Sequence, residues 1–170
     1  TLAPATTIGA PTGVVKVAVS PDGTYVASAG EQGTIRVWKV GDASLARELA
    51  GGEKAVRGIA FSPGGDFITA GDGDGGVTTW KAADGSEVRT LEAHDDAVFL
   101  VEYAADGTRF ATAAYDKTIK VWRASDGGAV ASVSAPSPED VIIHVSGDLG
   151  TAAFYDSARG VTIWSVEGNR

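Results

Sequence analysis

Few residues in this chain are of types that do chemistry. There are two histidines, His94 and His144, and no cysteine. Disulfides, thiolate metal sites and cysteine nucleophiles are therefore excluded. His94 is followed by Thr112 and Asp116 within the single stretch 93–122. A hydroxyl, an imidazole and a carboxylate could form a nucleophile–base–acid arrangement. They could equally form a buried chain in which each polar group satisfies the next. Nothing in the sequence calls for an exposed nucleophile, so the second reading is preferred and no catalytic residue is assigned. His144 is 50 residues from His94, and neither has a ligand cluster around it, so a zinc site is not expected.

The run Asp72-Gly-Asp-Gly-Gly76 is the other candidate. Acidic-glycine loops hold hard cations, but an EF-hand started at Asp72 would need Glu at its twelfth position, where Ala83 stands. As a phosphate loop the run lacks a following Lys-Ser/Thr, and it leads into a strand. It reads as a hairpin turn. No metal and no cofactor are expected.

The elements that would position these groups follow from a repeat. Trp38, Trp80, Trp122 and Trp164 are each 42 residues apart. Ser20-Pro-Asp-Gly23 recurs as Ser62-Pro-Gly-Gly65, Ala104-Ala-Asp-Gly107 and Ser146-Gly-Asp-Leu149. Thr34-Ile-Arg-Val-Trp38 recurs as Gly76-Val-Thr-Thr-Trp80, Thr118-Ile-Lys-Val-Trp122 and Gly160-Val-Thr-Ile-Trp164. No insertion or deletion is needed, as expected where each unit stacks on its neighbour.

Within each unit, short apolar runs alternate with turn chemistry, which predicts four short strands joined by hairpins. The inner strand is Val14–Val19, repeated at Val56–Phe61, Val98–Tyr103 and Val141–Val145. The second is Thr24–Ala29 and its copies, the third Thr34–Trp38 and its copies. The outer strand is Leu45–Ala50, repeated at Val88–Glu92 and Ala129–Val133. In Ser-Pro-Asp-Gly, proline presets φ and glycine accepts a positive φ.

A unit of this length, with a Gly-His-like start, S-P-D-G in the middle and T-I-K-V-W at its end, resembles the WD40 repeat. The resemblance covers essentially the whole chain. It implies an all-β propeller with four four-stranded blades in a single domain, 1–170. The repeats are taken as about 9–50, 51–92, 93–134 and 135–170, with an outer closing strand at 1–8. It also implies that His94, Thr112, Asp116 and Trp122 form the family's buried structural tetrad. Only the third repeat keeps the full set. The first has Ala10, Ser28, Gln32 and Trp38; the second Gly52, Ala70, Asp74 and Trp80; the fourth Pro136, Phe154, Ala158 and Trp164. Those blades are expected to lean on apolar packing.

The fourth blade lacks its own outer strand, which residues 2–8 could supply. Four blades in one ring need about 90° between neighbours and eight about 45°. Blades of the family's shape suit a wide ring, so two copies forming one eight-bladed ring are favoured over a piece completed by another chain. The absence of methionine points to a processed, excised or engineered chain.

A net charge of −8 argues against nucleic acid as a partner. No apolar stretch approaches the ~20 residues of a membrane span, and no signal pattern is present. A cytoplasmic location is expected, and the Thr, Gly and Ala content suits a bacterial source. In the resembled family, partners bind the narrow top face, near the entrance of the inner strand and just before the tetrad aspartate. Those positions hold Arg57, Phe99, Tyr115, Glu31 and Glu139, the first three being residue types common at binding hot spots. The expected function is a non-enzymatic scaffold for a protein or peptide. The alternatives are a self-assembling half-propeller without a ligand, and a regulatory propeller cut from a larger bacterial protein such as a Ser/Thr kinase.

Overall fold

The structure, a computed structural model, describes residues 8–9, 13–51, 54–135, 141–156 and 160–165. It consists of short antiparallel strands grouped into four sheets, or blades, in chain order. The first is β1 (Val14–Val19), β2 (Tyr25–Gly30), β3 (Thr34–Lys39) and β4 (Leu45–Ala50). The second is β5 (Gly58–Phe61), β6 (Phe67–Gly71), β7 (Gly76–Lys81) and β8 (Glu87–Glu92). The third is β9 (Val98–Tyr103), β10 (Arg109–Ala114), β11 (Thr118–Arg123) and β12 (Ala129–Ser134). The fourth has three described strands, β13 (Val141–Val145), β14 (Thr151–Asp156) and β15 (Gly160–Ser165). The strand expected at 1–8 falls almost wholly outside the described residues.

Each blade is a meander because its strands are joined by turns too short for anything but antiparallel neighbours. In the first three blades the pairing of the third and fourth strands slips just before the tryptophan, at Val37/Trp38, Thr79/Trp80 and Val121/Trp122. Such a bulge bends the strand and re-aims the residue beside it. Gly23, Gly65 and Gly107 take φ of 71°, 79° and 69° at one turn position, and Leu149 takes 59° at the same position of the fourth blade. A branched side chain pays about 1–2 kcal/mol for that conformation. Here the side chain is fully buried, which offsets the strain.

The core lies between blades. One apolar cluster joins blades 1 and 2, a second joins 2 and 3, and a third joins 3 and 4. The third strand of each blade supplies the covering face: Ile35, Val77 and Ile119 are all 0% exposed. The equivalent Val161 of blade 4 is 60% exposed and Ile163 is 71%. At the opposite end, Val17 and Val19 of β1 are 56% and 60% exposed, whereas Ile59, Phe61 and Val101 at matching positions inside the stack are 4%, 9% and 8%. The stack therefore ends in two apolar faces of the kind that its internal seams bury. No helix of the described chain is long and apolar enough to cross a membrane.

Candidate functional site

The hydrogen-bond chain of blade 3 is built from three elements. Trp122 comes from β11, Thr112 from β10, and Asp116 from the turn between them, while His94 stands in the connection from blade 2. Trp122 Nε1–H donates to Thr112 Oγ1 at 2.8 Å. Thr112 Oγ1 lies 2.7 Å from His94 Nε2, and His94 Nδ1 lies 2.9 Å from Asp116 Oδ2. The indole has only a proton to give. The Asp116 carboxylate can only accept, so Nδ1 carries the ring proton and donates to it. On a neutral ring, Nε2 is then the acceptor of the Thr112 hydroxyl.

Burial keeps His94 neutral. Its side chain is 0% exposed, and loss of hydration pulls its pKa below the ordinary 6.5 against the opposing pull of Asp116. Asp116 is the reverse case. Burial works to raise its pKa, but hydrogen bonds from the Thr118 hydroxyl and amide, and from His94, outweigh that and hold it low. The Asp95 amide also donates to Oδ2, at 3.2 Å. The chain thus ties the blade 2–blade 3 connection to the β10–β11 turn. Thr112 is 0% exposed and its hydroxyl is engaged on both sides, so it is placed as a link and not as a nucleophile.

Two members were not singled out from the sequence. Thr118 Oγ1 donates to Asp116 Oδ1 at 2.7 Å and lies 2.9 Å from His94 Nδ1. Its position two residues after an aspartate is the signal that would have found it. Lys120 Nζ donates to the Ala93 carbonyl at 2.6 Å, a long-range contact without a local signature.

The other repeats keep fragments. Trp38 Nε1–H donates to Ser28 Oγ at 2.9 Å in blade 1. Blade 2 has Ala70 where the hydroxyl would be, and beside its apolar packing it carries a different polar link. Its buried Thr69 lies 2.9 Å from Thr79 Oγ1 and 2.7 Å from Tyr103 Oη of blade 3. Asp74 is exposed near Lys54, 3.8 Å away, and Asp72 caps the turn instead by accepting the amides of Asp74 and Gly76. The Asp72–Gly76 run is thus a hairpin turn. No group of three or more His, Asp or Glu among the described residues is placed to hold a metal. Gln32, the blade 1 counterpart of Asp116, is exposed in the β2–β3 turn, while residues 10, 52, 136 and 158, the other counterparts of His94 and Asp116, lie outside the described residues.

The expected contact residues are partly gathered. Phe99 and Tyr115 meet, with ring centroids 5.0 Å apart. Phe99 also packs on the blade 3–blade 4 core, whereas Tyr115 is 52% exposed. Arg57 is exposed at the entrance to β5, the inner strand beside β9. Glu31 is exposed in the β2–β3 turn of blade 1. Neither joins the aromatic pair by any described contact. Glu139 lies outside the described residues.

The family model for the WD domain, G-beta repeat, matches residues 3–39, 43–81 and 85–123, well over half of the chain. The chain belongs to the WD40-repeat family. Its matches end on the residue after each of the first three tryptophans, so the family's unit and the 42-residue period coincide. The fourth repeat is unmatched, in keeping with Pro136-Ser-Pro138, Leu149 in place of the turn glycine and Phe154 in place of the hydroxyl. No curated protein matches the chain. WD40 domains typically act as non-enzymatic scaffolds that bind proteins or peptides, which is the general role this membership carries.

Proposed function

We propose that this WD40 chain is a non-enzymatic scaffold whose top face at blades 2 and 3 receives a protein or peptide. The observation that carries this is the Phe99–Tyr115 pair. One ring is anchored in the core, the other is exposed, and Tyr115 directly precedes the clamped Asp116. A rigid aromatic held by a locked turn binds at low entropic cost. Arg57, Glu31 and Glu139 are kept as further contact candidates on repeat position alone. Selection of a displayed peptide library on the immobilised chain should yield a binder that loses at least about tenfold in affinity with Tyr115→Ala or Phe99→Ala. Binding unchanged in both variants, with unfolding midpoints intact, would move the site elsewhere.

A second copy completing the ring is favoured by a separate observation, the two end faces that no described residue covers. The Val161/Ile163 face has the composition of faces that elsewhere receive an inner strand, and β1 offers such a strand with Val17 and Val19. Burying four such side chains contributes roughly 1.5–3 kcal/mol each. Light scattering should report twice 17.2 kDa, and a stable 17.2 kDa particle would remove the shared ring. Deleting residues 1–8 should weaken assembly if they close the ring.

A further inference from the structure

The seam between blades 1 and 2 holds a cavity of about 520 Å³ at the end of the strands away from Phe99 and Tyr115. The equivalent places of the next seam are linked by hydrogen bonds. There the Tyr103 hydroxyl reaches Thr69, and Arg89 Nη2 donates to the Ser125 carbonyl at 2.9 Å. One period earlier the same places hold Phe61, Ala27, Arg47 and Ala83. The hydroxyl and its partner are gone, and Arg47 makes no hydrogen bond among the described residues. Its guanidinium instead lies over the Tyr25 ring, 5.5 Å from the centroid.

The chemistry of the cavity follows from what is already spent. Its walls are divided about evenly between polar and apolar surface, the apolar part including Val37, Phe61, Pro21 and Pro63. Asp22 is occupied, accepting from the Ser20 hydroxyl at 2.6 Å and from the Thr24 amide and hydroxyl. Asp66, an exposed rim carboxylate, forms no ion pair with Arg47. Without a hydrogen-bond partner among the described residues the lining holds two donors, the Arg47 guanidinium and the Tyr25 hydroxyl, with the Asp66 carboxylate at the exposed rim and apolar surface between them. A volume of a few hundred Å³ with few convergent polar groups is the usual form of a small-ligand site. A guanidinium fork matches a carboxylate.

We infer that the blade 1–blade 2 cavity binds a carboxylate carried on an apolar body, with Arg47 and Tyr25 as its donors. This site lies on the other face from the proposed peptide contact and does not depend on it. The same chemistry is offered by a free organic acid or by the C-terminus of a peptide ending in an apolar residue.

The test is a titration of the full chain, followed by amide shifts, with 4-phenylbutyrate and with N-acetyl-Leu-Phe bearing a free carboxylate. The corresponding amides and 4-phenylbutylamine serve as controls. At least one acid should shift the amides of residues 20, 22–25 and 64–66, the stronger of the two naming the source. The amides should bind at least about tenfold more weakly, as should the acid to Arg47→Gln, since a hydrogen bond to a charged group is lost. Phe61→Tyr with Ala27→Thr rebuilds the link of the next seam and should also weaken binding. Absence of shifts with both acids would overturn the inference. So would equal binding of acid and amide, preference for the amine, or undiminished binding to both folded variants.

Discussion

Blades 1 and 3 hold their tryptophans by the same bond, yet what lies behind that bond differs. In blade 1, Trp38 donates to Ser28, and Ser28 turns back to the Arg36 carbonyl at 3.4 Å. In blade 3, Trp122 donates to Thr112, and the chain continues through His94 to Asp116 and Thr118. Both tryptophans are nearly buried and both blades have the same strands and bulge. The long chain is therefore not needed to build a blade. What it adds is a tie between the connection entering blade 3 and the turn bearing Tyr115, on the face proposed to bind a partner.

The comparison can be broken most severely at Thr112. Thr112→Val leaves both the Trp122 N–H and His94 Nε2 buried without partners, and should cost roughly 2–5 kcal/mol in urea unfolding. Ser28→Ala leaves one donor behind and should cost about 1–2 kcal/mol. Equal losses would mean that the longer chain adds nothing to blade 3.

Acid should separate the blades next. A buried, neutral His94 with a lowered pKa contributes stability that is fully present above its ordinary 6.5 and is lost as pH falls through its folded value. Asp116, also lowered, contributes stability present above 3.8 and lost as pH falls further. Thermal unfolding should thus decline in two steps on acidification. His94→Gln should remove the upper step and leave the lower, where the turn aspartates Asp22, Asp42, Asp84, Asp106, Asp126 and Asp148 also titrate. An upper step that persists in His94→Gln would assign it to another group.

The smallest effect sharpens the repeat itself. Ala43 and Lys117 adopt φ of 56° and 68°, where neighbouring repeats have Gly85 and Gly127, and Gly33 and Gly75. Relief of left-handed strain outweighs the added chain entropy of glycine by a small margin. Ala43→Gly should raise unfolding stability by about 0.5 kcal/mol, and a loss would show that the turn is unstrained.

The repeat, the strands and the turn glycines were legible because each is a local pattern. Alternation, a fixed period and a residue that tolerates positive φ need no knowledge of neighbours. Strand starts were less sharp: β5 begins at Gly58, not Val56. The backbone of Gly58 runs so close to Leu100 that an added Cβ would sit 3.1 Å from it, a constraint set by the next blade. Phe99 and Tyr115 were placed by repeat position, but their mutual contact was not readable. The Thr69–Tyr103 link was missed, because it joins residues 34 apart across a seam.

The sequence alone determined that this chain is built on a 42-residue period, each copy with its own tryptophan, and three of the copies match the WD40 family. A 42-residue period without insertions leaves little else for those residues to do. Only the tertiary structure decided which polar groups would meet, which seam would be linked by hydrogen bonds and which faces no described residue would cover. Identical repeat positions become buried or exposed according to what packs against them. Ile119 at 0% and Val161 at 60% differ because blade 4 covers one and no described residue covers the other.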